Sequence, residues 1–161
     1  MEFTVVQGDI AAQSADALVN AANTSLRMGS GVAGALERAA GPELDEAAVE
    51  KGPVDLGSVA VTAAYDLDAE YVVHAAAMPA GGRATEESIR KATRNALAAA
   101  DDLGCRSLVL PALGCGIAGF DLAAGARIIA ETIRAFEPDS LEDVRLIAYD
   151  DGEYETIRDA V

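Results

Sequence analysis

The sequence predicts a single three-layer α/β/α domain, residues 1–161, built on a largely parallel central sheet. Three observations carry that expectation. Short β-prone runs alternate with helical runs along the chain, the connections between them are short, and the two longest helical runs keep a clear 3.6-residue period.

In chain order, residues 3–7 form a β-prone run that ends at Gly8-Asp9-Ile10. A second run, 17–20, gives way to the polar, glycine-bearing stretch 23–31. A helix follows over 32–40, stopped by Gly41 and Pro42, and Pro42 suits the first position of another helix running to about 51. Strands are expected at 58–62 and 71–76, then a loop at 79–84 with Gly81 and Gly82. The helix 85–103 places Ile89, Ala92, Ala96, Ala100 and Leu103 on one stripe. Thr85 is its expected N-cap, and Glu86 and Glu87 favour the positive end of the helix dipole. After a strand at 107–110, the helix 121–136 aligns Leu122, Ala126, Ile129, Ile133 and Phe136. A strand at 144–149 and a short helix at 153–161 close the chain. There is no internal repeat and no linker.

Half the residues are apolar, but aromatics are few (four Tyr, three Phe, no Trp), so Ala, Val, Leu and Ile must build the core. No apolar run approaches the ~20 residues that cross a bilayer, and the N-terminus lacks the basic start of a signal peptide. A cytoplasmic, monomeric protein without membrane contact is expected. Twenty-seven acidic residues oppose twelve basic ones, a net charge of −15 with the acids scattered through the chain. That balance argues against nucleic-acid binding, which needs a basic stripe. It is costly in dilute buffer and screened at molar salt, where the Debye length is about 3 Å, so a salt-rich, halophilic cytoplasm is the simplest explanation. With one histidine (His74, inside an apolar run) and two dispersed cysteines, neither a metal site nor a Cys–His pair is supported, and no cofactor is called for.

Ligands of open α/β sheets bind outside the carboxyl ends of the strands. Four unusual segments fall at such ends: Gly8-Asp9-Ile10, the stretch from Asn20 to Gly31, residues 111–120, and Tyr149-Asp150. Both glycine-rich loops, within 19–31 and 111–120, leave a strand and open a helix. Their successive N–H groups are expected to hold a diphosphate-containing ligand. Neither carries the ending of a nucleoside-triphosphatase P-loop or the dinucleotide fingerprint. Asp9 suits an exocyclic amine such as that of adenine, or equally a turn. Tyr149 offers a stacking face or a core tyrosine, and Asn20 and Asn23 a sugar partner or turn satisfaction.

Gly8-Asp9-Ile10, Val19-Asn20-Ala21-Ala22-Asn23, Gly29-Ser30-Gly31-Val32-Ala33-Gly34-Ala35 and Pro111-Ala112-Leu113-Gly114-Cys115-Gly116 resemble the successive motifs of macro domains, which recognise ADP-ribose. Tyr71-Val72-Val73-His74 and Tyr149-Asp150 look like the archaeal and bacterial single-domain form, and the likeness spans nearly the whole chain. The resemblance implies a mixed six- or seven-stranded sheet between helices. It also implies Asp9 and the Ile10 backbone on adenine, with Tyr149 stacked there. Asn23 would meet the distal ribose as the catalytic candidate, with Asn20 near it. The diphosphate would lie on Gly29, Ser30, Gly31 and Val32 and on Gly114, Cys115, Gly116, Ile117, Ala118 and Gly119, beside Phe120. Some macro domains hydrolyse ADP-ribosyl carboxylates or O-acetyl-ADP-ribose with a phosphate-positioned water. Here Ala33 stands where one subgroup has Asp, Ala118 where an aromatic is frequent, and Ser30 where glycine is usual. The partner implied is ADP-ribose or an ADP-ribosylated protein. A non-catalytic ADP-ribose-binding module and a generic nucleotide or phosphate-sugar binder are the alternatives.

Overall fold

A computed structural model describes residues 1–29, 31–116 and 119–161. Six strands are joined in the order β1 (Glu2–Gln7), β6 (Asp143–Ala148), β5 (Ser107–Leu110), β2 (Ala17–Asn23), β4 (Tyr71–Met78), β3 (Val59–Ala63). All pairs are parallel except β3–β4. The seven residues between β3 and β4 are too few for the crossover that a parallel pair requires, so β3 runs back along the edge.

Alternation along the strands divides the core in two. Ala17, Val19, Val73, Ala75, Leu108, Leu110, Val144 and Leu146 face α3 (Glu86–Asp102), α4 (Leu122–Ala135) and α5 (Asp151–Ala160). Leu18, Val72, Val109 and Ile147 face α1 (Gly31–Ala40) and α2 (Glu43–Lys51). Buried positions on both sides of every central strand produce the continuous apolar runs seen in the sequence.

Local chemistry fixes the helix starts. Thr85 accepts the Ser88 N–H while the Ser88 hydroxyl accepts the Thr85 N–H, a reciprocal cap. Asp121 caps α4 through the Ala124 N–H, and Asp150 caps α5 through the Glu153 N–H. That cap starts the last helix at Asp151 rather than 153, and β6 stops at Ala148, leaving Tyr149 outside the strand.

Two further boundaries differ from the expectation. A short 3₁₀ turn, Ile10–Ala12, follows β1. The second strand continues three residues beyond 20, and its register against β4 shifts between Ala22 and Asn23. An irregularity of this kind re-aims the side chain at its end, and here that side chain is Asn23.

Candidate functional site

Because five strands are mutually parallel, their carboxyl ends share one edge of the sheet. The connections diverge between β5 and β2: the chain leaves β5 towards β6 and leaves β2 towards β3 and β4. Such a divergence opens a crevice above the sheet. The segments after β2 and after β5, the two glycine loops, flank it.

Asn23 closes β2, half-buried. Its Oδ1 accepts the Ser25 N–H at 2.9 Å and the Ser25 hydroxyl at 2.6 Å, so the carboxamide oxygen is committed to the turn, while Nδ2 has no partner among the described residues. Leu26 then adopts φ +61°, unusual for a branched residue, and the Met28 N–H is held by Asp45 of α2 at 2.9 Å. Thr24 fastens the loop to its neighbours. Its N–H reaches Met78 O at 3.1 Å, its O accepts the Val54 N–H at 2.9 Å, and its hydroxyl accepts the Ala80 N–H at 3.0 Å. Sequence reasoning did not single out Thr24 or Ser25. The signal was a run of Asn, Thr and Ser at a strand end, residues whose side chains bond to nearby backbone. Gly29 and Gly31 are exposed, Val32 is half-buried in the first turn of α1, and Ala33 beneath it is 8% exposed. Ser30 lies outside the described residues.

The second loop is tied up within itself. Cys115 N–H donates to Ala112 O at 3.2 Å, Gly119 N–H to Gly116 O at 3.1 Å, and Phe120 N–H to Gly114 O at 2.8 Å. Three of the N–H groups expected to face the diphosphate are therefore occupied. Those of Gly114 and Gly116 have no protein acceptor among the described residues. Ile117 and Ala118 lie outside the described residues. Gly114 has φ +73°, a conformation glycine adopts without steric cost.

On the far side, β1 and β6 are neighbours, which brings Asp9 and Tyr149 to adjacent strand ends. Asp9 Oδ1 accepts the Ala11 N–H at 2.9 Å and caps the 3₁₀ turn. This is the turn role, and the second carboxylate oxygen remains exposed for an amine. Ile10 is 5% exposed, packed towards α1 and α2, so its backbone alone can face a ligand. Tyr149 is 72% exposed. Asp9, Asp150 and Asp151 are exposed around it, an acidic rim at this end.

Asn20 is not brought to the loops. It is 1% exposed, and its Nδ2 donates to Nδ1 of His74 at 3.1 Å, its register partner on β4. His74 Nε2 lies 3.0 Å from Thr62 Oγ1, whose own hydrogen goes to Ala63 O at 3.0 Å, which places the ring proton on Nε2. The lone histidine is thus a paired core residue in a polar row across three strands. Burial holds it far below its ordinary value of 6.5, down to about 4. An imidazole that must stay neutral when folded makes the native state bind fewer protons than the unfolded chain between those values. Stability is therefore fully present above pH 6.5 and lost as the pH falls towards 4, by up to about 3 kcal/mol. Denaturant unfolding at pH 7 and pH 5 checks this: His74→Gln should flatten the difference, and an undiminished slope in that variant would remove His74 as its source.

Two surface cavities, of about 330 and 540 Å³, lie at the other end of the sheet. They are lined by segments such as 61–63 with Tyr71, and 14–16 with Ser107. Neither contains a residue of the glycine loops.

A family model for the Macro domain matches residues 19–129, from β2 and the first glycine loop through the second loop into α4. The chain belongs to the Macro domain family. Among relatives of this macro domain, a Mycobacterium tuberculosis protein is 45% identical over 152 residues, covering 94% of this chain and 42% of its own length. An Aquifex aeolicus protein is 40% identical over 152 residues, covering 94% of this chain and 92% of its own. The chain thus spans about two-fifths of the length of the mycobacterial relatives it matches. Among solved structures, a Trypanosoma brucei macrodomain in complex with ADP-ribose superposes with a TM-score of 0.89 at 29% identity, covering 98% of this chain and 68% of that one. An Oceanobacillus iheyensis macrodomain point mutant with ADPR gives 0.86 at 29% identity, covering 98% and 89%. The six-stranded mixed sheet between two helical layers is the macro-domain fold.

Proposed function

We propose that this macro domain binds ADP-ribose along the carboxyl edge of its sheet and releases it from ADP-ribosylated carboxylates or O-acetyl-ADP-ribose. Adenine would sit between the free oxygen of Asp9, the Ile10 N–H and the ring of Tyr149. The diphosphate would cross the crevice between β5 and β2, on the start of α1 and the open N–H groups of Gly114 and Gly116. The distal ribose would meet Nδ2 of Asn23. The single observation that carries this reading is the order of these groups along one edge: base-binding residues beyond β1 and β6, glycine loops at the crevice, and a half-committed carboxamide at the end of β2. The solved complexes of similar macrodomains with ADP-ribose support it. In the hydrolytic step, a water held by the substrate's own phosphate and oriented by Asn23 would attack the ester. The attacked carbon gains the water oxygen, the ADP-ribose oxygen leaves, and the water's protons divide between the products.

Ala33 favours a second reading. It puts a methyl group, 8% exposed, in the first turn of α1, so no carboxylate acts from that position, as suits a module that holds ADP-ribose without cutting its adducts. Release of ADP-ribose from a glutamate-linked ADP-ribosylated protein separates the two. Calorimetry with ADP-ribose against AMP tests binding itself, and equal affinities would discard the proposal.

The net charge of −15 and the acidic rim repel an anionic ligand. Affinity for ADP-ribose is therefore expected to rise with salt and level off as the Debye length falls to about 3 Å near 1 M. A basic phosphate binder shows the opposite trend, and a falling affinity would contradict the account.

A further inference from the structure

One residue of α4 stands out for what it lacks. Gly125 is the fourth residue of that helix and is buried, a position at which Ala is the better helix former. A Cβ built there would overlap Cys115 Sγ, far inside van der Waals contact, and would also lie 3.5 Å from Cδ1 of Phe120. The missing side chain makes a notch, and the thiol of the second glycine loop occupies it.

The thiol is also directed at the helix. Sγ lies 3.6 Å from Leu113 O in its own loop and 3.8 Å from Asp121 O. Asp121 is the capping residue of α4, and the same carbonyl accepts the Gly125 N–H at 2.8 Å. One sulfur therefore touches the strand side of the loop, the cap and the first turn of the helix. Burial, with Asp121 and Glu153 nearby, pushes the Cys115 thiol up to about 11, so it stays a neutral donor. Neither Cys115 nor Gly125 has another evident duty, since the Cys115 N–H is already bonded to Ala112 O.

We infer that Gly125 and Cys115 form a knob-and-notch pair that sets the height of the second glycine loop over α4, and so positions Gly114 and Gly116 for the ligand. Gly125 is a positioning residue, acting through Cys115. The inference rests on the proposal that this loop carries the diphosphate.

A mutant cycle tests it, with ADP-ribose as the probe in calorimetry on the full chain. Gly125→Ala is expected to weaken binding by about tenfold or more, although helix propensity alone predicts no harm. Cys115→Ala, which empties the notch, is expected to weaken it two- to threefold. In the Cys115→Ala background, adding Gly125→Ala should cost nothing further, because the new methyl group takes the space left by the sulfur. Wild-type affinity in Gly125→Ala would overturn the inference, as would a double variant as weak as that single one. If Gly125→Ala alone fails to fold, the double variant must still fold and bind like Cys115→Ala, and its failure counts against the pair. Should the wild type bind no ADP-ribose, the functional proposal fails, and the pair is then judged by amide exchange. The N–H groups of Gly119 and Phe120 should exchange faster in Gly125→Ala and return to the Cys115→Ala rate in the double variant. Unchanged exchange would overturn it.

Discussion

Asn23→Ala is expected to slow release of ADP-ribose from a glutamate-linked adduct by about 10²-fold, the scale of loss when a reacting group is misplaced by about an ångström. Two effects combine. The variant removes the Nδ2 donor proposed to orient the distal ribose and the attacking water. It also removes the oxygen that holds the Ser25 N–H and hydroxyl, at 2.9 and 2.6 Å, and so loosens the turn that starts the first glycine loop. Binding should suffer less, by about fivefold, because one group is lost from a site with many contacts, and a hydrogen bond contributes about 1 kcal/mol net. Single-turnover release and calorimetry on the same preparation separate the two. An unchanged rate would take Asn23 out of the mechanism. Equal losses in rate and affinity would make its role one of binding.

Gly114→Ala is expected to have the largest effect on stability. At φ +73° an Ala is strained, and its Cβ would stand 2.5 Å from Ala84 Cβ and 3.0 Å from Ile89 Cγ1. Ile89 is fully buried on the inner face of α3, so it has nowhere to withdraw. Backbone strain of about 1–3 kcal/mol and overpacking of similar size together predict a loss of about 3 kcal/mol or more. Gly29→Ala is the control, since a Cβ there meets nothing within 4 Å, and its stability should stay within about 0.5 kcal/mol of wild type. Denaturant midpoints for the two variants suffice, and similar values would refute the packing account.

The contrast between those glycines shows where sequence stops being informative. Both sit in glycine-rich loops and look alike on the page, and only the approach of Ala84 and Ile89 distinguishes them. Elements with local causes were legible. Thr85 capping α3, Pro42 before α2, and the stripe through Ile89, Ala92 and Ala96 all rest on neighbours within four residues. Long-range pairing was not. Asn20 and Asn23 bracket the same two alanines and were expected at the same site. Asn20 instead meets His74, 54 positions away, and Asn23 lies beyond the register shift that follows Ala22. The turn role of Asp9 was visible as one of two options, since an Asp after a strand commonly caps. The internal bonding of Cys115, Gly119 and Phe120 was hidden, because composition shows which loops supply N–H groups but not which of them are already used.

The three bonds of Thr24 have one more consequence. They fasten the start of the first glycine loop to Met78 at the end of β4, to Ala80 just after it and to Val54 beyond α2, so that start takes its shape when the sheet is assembled. The conformational entropy of that segment is surrendered during folding and need not be surrendered again when a ligand arrives. The start of the loop is preorganised, with its mooring supplied by segments distant in sequence rather than by its own glycines.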